Sequence, residues 1–220
     1  MNRFLLCSVL AVSTAALPEE NPWETQRTEP TVIKTRARKG SEVKEVWAEQ
    51  TLAAAVIDIQ NAITDVKRFT VFMPYMTESK FVLGTEPDGA RYTYARMDVP
   101  VLSPRDFIHK TYLDRDAEKD PEGVFANHWF AVPAAMPEVN GVVRLKLSEG
   151  SWLVTPSEDG KTSHVVYKLC VDPGGAIPAF AANRANADGL TDTFRNIERE
   201  AQRRANARAA AANISSLRRR

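Results

Sequence analysis

Hydrophobic and polar side chains follow two distinct periods along this chain. The two-residue period is clearest near the C-terminal third. There Val165, Tyr167, Leu169 and Val171 alternate with His164, Val166, Lys168 and Cys170, so a strand with two different faces is predicted. Residues 31–38, 43–52, 79–85, 90–99, 106–114, 123–132 and 141–148 read the same way. Pro87-Asp88-Gly89, Glu149-Gly150, Asp159-Gly160 and Asp172-Pro173-Gly174-Gly175 read as the turns between strands. At Asp159-Gly160 the glycine supplies the positive φ that a reversing turn needs.

A 3.6-residue period appears twice. Val56, Ile59, Ile63 and Val66 share one stripe within residues 53–66, and Pro74 ends this section after Phe69, Phe72 and Met73. A second, much longer helical run starts near Ile177, with Pro178 tolerated in its first turn. Phe180, Asn183 or Arg184, Leu190, Phe194, Ile197 and Ala201 are predicted to face inward, and Asp188-Gly189 is a candidate kink.

The pattern predicts an α+β fold with a curved antiparallel sheet of about nine strands. A short helix follows the second strand, and one long helix lies across the sheet. Such an arrangement is a container for a hydrophobic ligand. No internal repeat and no second domain is indicated.

Composition narrows the function classes. The chain is 44% hydrophobic and 26% charged with a formal net charge of +1, which lacks the basic excess of a nucleic-acid binder. Met1-Asn2-Arg3, an apolar run from Phe4 to Val12 broken only by Ser8, and the small residues Ser13-Thr14-Ala15-Ala16 have the pattern of an export signal. Export, to a periplasm or the outside, is the expectation. Loss of residues 1–16 would remove Arg3 and Cys7 but no acidic residue, leaving a formally neutral chain with Cys170 as its only thiol. A lone strand cysteine reads as a buried structural group. Residues 17–30 read as a flexible lead-in. Residues 202–220, with Arg203, Arg204, Arg208 and Arg218 to Arg220, form a basic tail: a solvated helix end, or a contact for anionic lipid head groups.

Four segments carry a resemblance to a known family. They are Val66 to Phe69 with Phe72-Met73-Pro74-Tyr75-Met76, then Pro100 to Phe107 with its Arg-Asp-Phe, then Val143-Arg144 followed by Gly150-Ser151-Trp152 and Pro156, and last Asp172 to Pro178. In their order and spacing they resemble the START domain, the lipid-binding module related to steroidogenic acute regulatory proteins, over residues 40 to 200. The resemblance implies a helix-grip fold of the Bet v 1-like superfamily, with the ligand-binding domain spanning residues 31–201. It also implies one lipid or sterol partner in an internal tunnel, no cofactor, no metal and no catalytic residue. Some members carry a tunnel arginine six positions after the arginine of Arg-Asp-Phe. This chain has Thr111 there, which predicts a less charged interior.

Alternation selects the candidate lining. Phe107, His109, Thr111 and Leu113 should point inward, as should Asn127 and Trp129 beside Phe125, then Val143, Leu145 and Leu147, then Tyr167 and Leu169. Phe180 and Phe194 of the long helix complete the set. His109, Asn127 or Tyr167 would orient a ligand hydroxyl or head group. Arg105 and Asp106 are expected to hold a loop. A monomer with at most transient membrane contact is expected.

The alternative reading is an enzyme of the same superfamily, a cyclase or hydrolase working in the same cavity through His109 with Tyr167 or Asn127. His109, His128 and His164 lack metal-ligand spacing. The chain has no Gly-x-Ser-x-Gly elbow and no glycine-rich phosphate loop.

Overall fold

A computed structural model describes residues 21–217. The proposed export signal, residues 1–16, lies outside them. The described elements are β1 (Glu24–Arg27), β2 (Val32–Arg36), β3 (Glu45–Leu52), α1 (Val56–Thr64), a 3₁₀ turn (Val66–Arg68) and α2 (Phe69–Phe72). Then follow β4 (Met76–Val82), β5 (Arg91–Met97), β6 (Arg105–Arg115), β7 (Phe125–Ala131), β8 (Val143–Arg144), β9 (Leu147–Pro156), β10 (Ser163–Asp172) and α3 (Ala179–Leu217). Nine strands form one curved path in the order β1-β2-β3-β10-β9-β7-β6-β5-β4, every neighbouring pair antiparallel, while short β8 pairs in parallel with β6. This is the curved antiparallel sheet with one long helix that the alternation predicts, and the helix-grip architecture that the resemblance implies.

The helical stripe falls where its period puts it. Val56, Ile59, Ile63 and Val66 are all buried, as are Leu190, Phe194, Ile197 and Ala201 of α3. They close one core with Ile33, Val46, Ala48, Leu52, Phe125, Trp152, Val154 and Val165 from the inner face of the sheet. Helix α3 is one uninterrupted 39-residue element, so Asp188-Gly189 does not break it. The Gly189 position is open, and a packed flank on both sides carries the helix through it.

Polar side chains fasten α3 to the first third of the chain. Asn183 Oδ1 accepts the Lys44 backbone N–H at 2.8 Å, Arg27 donates to Asp188 and Thr191, and Glu198 accepts the Ala53 N–H at 2.6 Å. Arg204 reaches Asp65 and Arg208 reaches the buried Asp58, both at 2.7 Å. Buried Glu200 lies between Arg68, Arg203 and Arg204, which hold its carboxyl down to about 2. The basic tail is therefore helical as far as Leu217, and Arg203, Arg204 and Arg208 each pair with a carboxylate of the folded domain.

Three local readings need correction. Residues 24–27, read as part of a flexible lead-in, form β1, because the β2 edge offers them a ladder partner. Residues 141–148 are not one strand. The ladder stops after Arg144 and restarts at Leu147, which reverses the facing, so Ser148 rather than Leu147 points inward. Glu149-Gly150 is no turn. β9 runs straight through it, and Gly150 stands opposite Trp129 on β7 and Leu169 on β10. A Cβ at Gly150 would collide with the Lys168 carbonyl oxygen and lie 2.5 Å from Trp129 Cζ2. Glycine is needed there for close approach, not for turning.

On the outer face a second, small cluster is built around a buried ion pair. Arg144 donates to both oxygens of Asp106 at 2.7 and 2.9 Å, and to the carbonyls of Pro133, Met136 and Pro137. Their side chains are 2% and 0% exposed. Neighbouring Arg105 donates to the Ser103 and Pro173 carbonyls. Both residues of the Arg-Asp pair thus hold loops, as expected.

Two outcomes follow from these contacts. Arg144→Met leaves Asp106 buried without a counter-charge and should cost about 3–5 kcal/mol in urea unfolding, while a double replacement by apolar residues should recover much of it. Gly150→Ala should lower stability by roughly 1–3 kcal/mol, because either the indole or the ladder must move. An unchanged unfolding midpoint in either single variant would contradict these assignments.

Candidate functional site

Register places the predicted lining on one face. Thr111 pairs with Trp129, His109 with Ala131, Asn127 with Trp152 and Tyr167 with Trp152, so these side chains share the concave side of the sheet. Among them runs a continuous aromatic row. Phe107 stacks on His109 at 4.3 Å and His109 lies 6.0 Å from Trp129. Trp129 stacks on Tyr167 at 5.7 Å, Tyr167 on Trp152 at 3.8 Å, and Trp152 meets Phe194 edge-on at 6.0 Å. The row crosses β6, β7, β10 and β9 and ends on α3. It can pass over β9 because Gly150 leaves its Cβ position to the Trp129 ring.

The members differ in how far they are covered. Asn127, Trp129, Leu145, Trp152 and Phe194 are buried, and Asn127 Oδ1 accepts the Trp152 backbone N–H at 3.4 Å. Phe107, His109, Thr111, Tyr167 and Leu169 are only half-buried, although they sit on the inner face. Phe180 is different. It is 77% exposed and borders an open hollow of about 500 Å³ between the first turns of α3 and the β1–β3 edge. Its period put it inward, but α3 begins one turn before the helix reaches the sheet. A second open hollow, about 350 Å³, includes Trp23, Trp129, Leu169 and Cys170 along its walls.

Burial rather than charge tunes the titratable groups of this face. It holds the His109 imidazole down to about 3, so the ring is neutral near pH 7. Its Nε2 shares a hydrogen bond with Ser148 Oγ at 2.8 Å. Ser148 went unrecognised in the sequence because the break after Arg144 moves it to the inner face. Burial likewise pushes the Tyr167 phenol up and the Cys170 thiol up, the latter against nearby Arg38. Cys170 is a buried free thiol beside Arg38, on the opposite face from Tyr167. His128 and His164 lie on the outer face near Asp114 and Glu49. Among the described residues no group of three or more His, Cys, Asp or Glu side chains is arranged to hold a metal ion.

The end of the sheet near the start of β6 is marked by exposed apolar side chains. Loop residues Val101 and Leu102 are exposed, as are Tyr75, Val139 and Val71. Asp98 N–H donates to Tyr75 O and Val143 N–H to Pro104 O, so these loops share one end. Val101 adopts a φ of 61°, an uncommon conformation for a β-branched residue, at the tip of the loop.

No family model matches the chain. It is 29% identical over 203 residues to an uncharacterized protein of Pseudomonas aeruginosa, covering 91% of this chain and 96% of that one. It is 25% identical over 158 residues to the phosphatidylcholine transfer protein of Rattus norvegicus, covering 70% and 69%. Among solved structures, the STAR-related lipid transfer protein fragment of Xanthomonas axonopodis superposes with a TM-score of 0.70 at 25% identity, over 82% of this chain and 98% of the fragment. The resemblance read from four sequence segments is thus matched in three dimensions: the chain has the helix-grip fold of the START, or STAR-related lipid transfer, domains.

Proposed function

We propose that this protein binds one lipid between the concave face of its sheet and α3, and carries it between membranes outside the cytoplasm. The observation that carries the reading is the aromatic row of the inner face. Phe107, His109, Tyr167 and Leu169 keep part of their surface uncovered there, where a finished core would bury them. An apolar guest laid against that surface leaves water, which is worth roughly 0.8 kcal/mol for each methylene buried. The likeness to two lipid transfer proteins supports the same reading. Transfer needs a membrane-facing end, and the exposed Val101, Leu102 and Tyr75 supply an apolar one. The export pattern of residues 1–16 supports the location.

The enzyme alternative has less support. His109 is occupied by Ser148 and Asn127 by a backbone amide, so neither presents a free group aimed at a shared reacting atom.

Protein purified from its own host should carry one lipid per chain in native mass spectrometry and should start after residue 16. It should also move lipid between donor and acceptor liposomes. Neither co-purified lipid nor transfer of sterol, acyl lipid or phospholipid would end this reading.

Neutral His109 also sets a pH dependence. Its folded value of about 3 lies below the ordinary imidazole value near 6.5. Between these the unfolded chain takes a proton that the folded one refuses. The stability involved is complete above pH 6.5 and declines as pH falls toward 3. The urea midpoint should fall between pH 7 and 4.5, and fall less in His109→Gln. An equal fall in both proteins would exclude His109 as the cause.

A further inference from the structure

The inner face carries several hydrogen-bonding groups that nothing in the fold satisfies. Trp129 Nε1 and Ser79 Oγ are buried, and among the described residues neither has a partner. The hydroxyls of Tyr167, Thr111 and Thr93 also make no hydrogen bond there, although each strand register turns them to the concave side. A buried donor left without an acceptor is costly, so such groups call for a guest or water that accepts from them. Trp129 and Tyr167 stack on each other at mid-sheet, with ring centres 5.7 Å apart, so both donors belong to neighbouring rings of the row.

All of these groups are uncharged. The cations that belong to this face lie at strand ends. Arg105 is buried at the start of β6, with its guanidinium given to the Ser103 and Pro173 carbonyls. Arg91 is exposed at the start of β5 and lies 3.8 Å over the Phe81 ring. Carboxylates near α3 are tied to arginines, as Glu200 and Asp58 show. A carboxylate or phosphate drawn to the centre of the row would lose its water and gain no counter-ion. A hydroxyl or carbonyl would lose less and would accept from the waiting donors.

From this geometry we infer that the lipid is an uncharged one whose oxygen accepts hydrogen bonds from Trp129 Nε1 and Tyr167 Oη at mid-sheet. The inference rests on the lipid-holding function proposed above. It separates alcohols, sterols and ketones from free fatty acids and phospholipids. Trp129 and Tyr167 become the residues that set specificity, through a donor each rather than through shape.

A matched pair of probes tests it. Oleyl alcohol and oleate share one chain and differ in the charge of the head. At pH 8 the wild-type protein should bind oleyl alcohol at least ten-fold more tightly than oleate in a competition assay against a fluorescent lipid. Trp129→Phe and Tyr167→Phe keep the rings. Each should weaken oleyl alcohol by about five-fold or more, leave octadecane unchanged, and keep the melting temperature within a few degrees. Oleate binding as tightly as the alcohol, above all if Arg105→Gln abolishes it, would overturn the inference, and so would two phenylalanine variants that bind the alcohol like wild type. Failure of all three probes and of the fluorescent lipid would instead remove the lipid-holding function itself.

Discussion

An ionised side chain withdrawn from water needs a partner, and that constraint orders this protein from the core outward. The buried Asp106–Arg144 pair sits on the outer face, beneath the loop that Arg144 also ties down through three carbonyls. Asp58 and Glu200 sit along the helix seam with arginines against them. With the remaining cations of the concave face kept to its strand ends, the middle of that face is left to aromatic rings, hydroxyls and a neutral imidazole. A pocket of that kind repels ions by desolvation without any repulsive charge of its own.

The aromatic row shows how a single small residue shapes a large surface. Its rings come from the four consecutive strands β6, β7, β9 and β10 and from α3, and Trp129 meets Tyr167 across β9. Any side chain on β9 opposite Trp129 would separate them. Gly150 removes that obstacle, and Trp129 spreads over the gap toward Tyr167. The site therefore depends on the absence of an atom as much as on the groups present. His109 at one end and Phe194 at the other connect the row to Ser148 and to the helix.

Much of this was readable in the sequence because periodicity is a local signal. The alternation from 163 to 171 fixed which side of β10 is wet, and the stripe through Val56, Ile59, Ile63 and Val66 fixed the buried side of α1. Thr111, where some members of the family carry an arginine, takes its place on the inner face opposite Trp129. What escaped was long-range. Gly150 resembles a turn glycine until Trp129 is known to lie over it. Ser148 is invisible as a lining residue until the ladder is seen to break after Arg144. Phe180 obeys the helical period but precedes the point where α3 meets the sheet, and β1 is polar enough to pass for a tail until β2 supplies its hydrogen bonds.

The polar fastenings of α3 described above end on residues 27–68, while the helix itself follows the last strand. Closure therefore joins segments that emerge from the ribosome more than a hundred residues apart. Until α3 has been made, Asp58 has no guanidinium to meet and the apolar stripe of α1 is covered on its sheet side alone. A chain that folds as it is made therefore holds an unfinished, sticky sheet until α3 arrives, an aggregation hazard created by late closure.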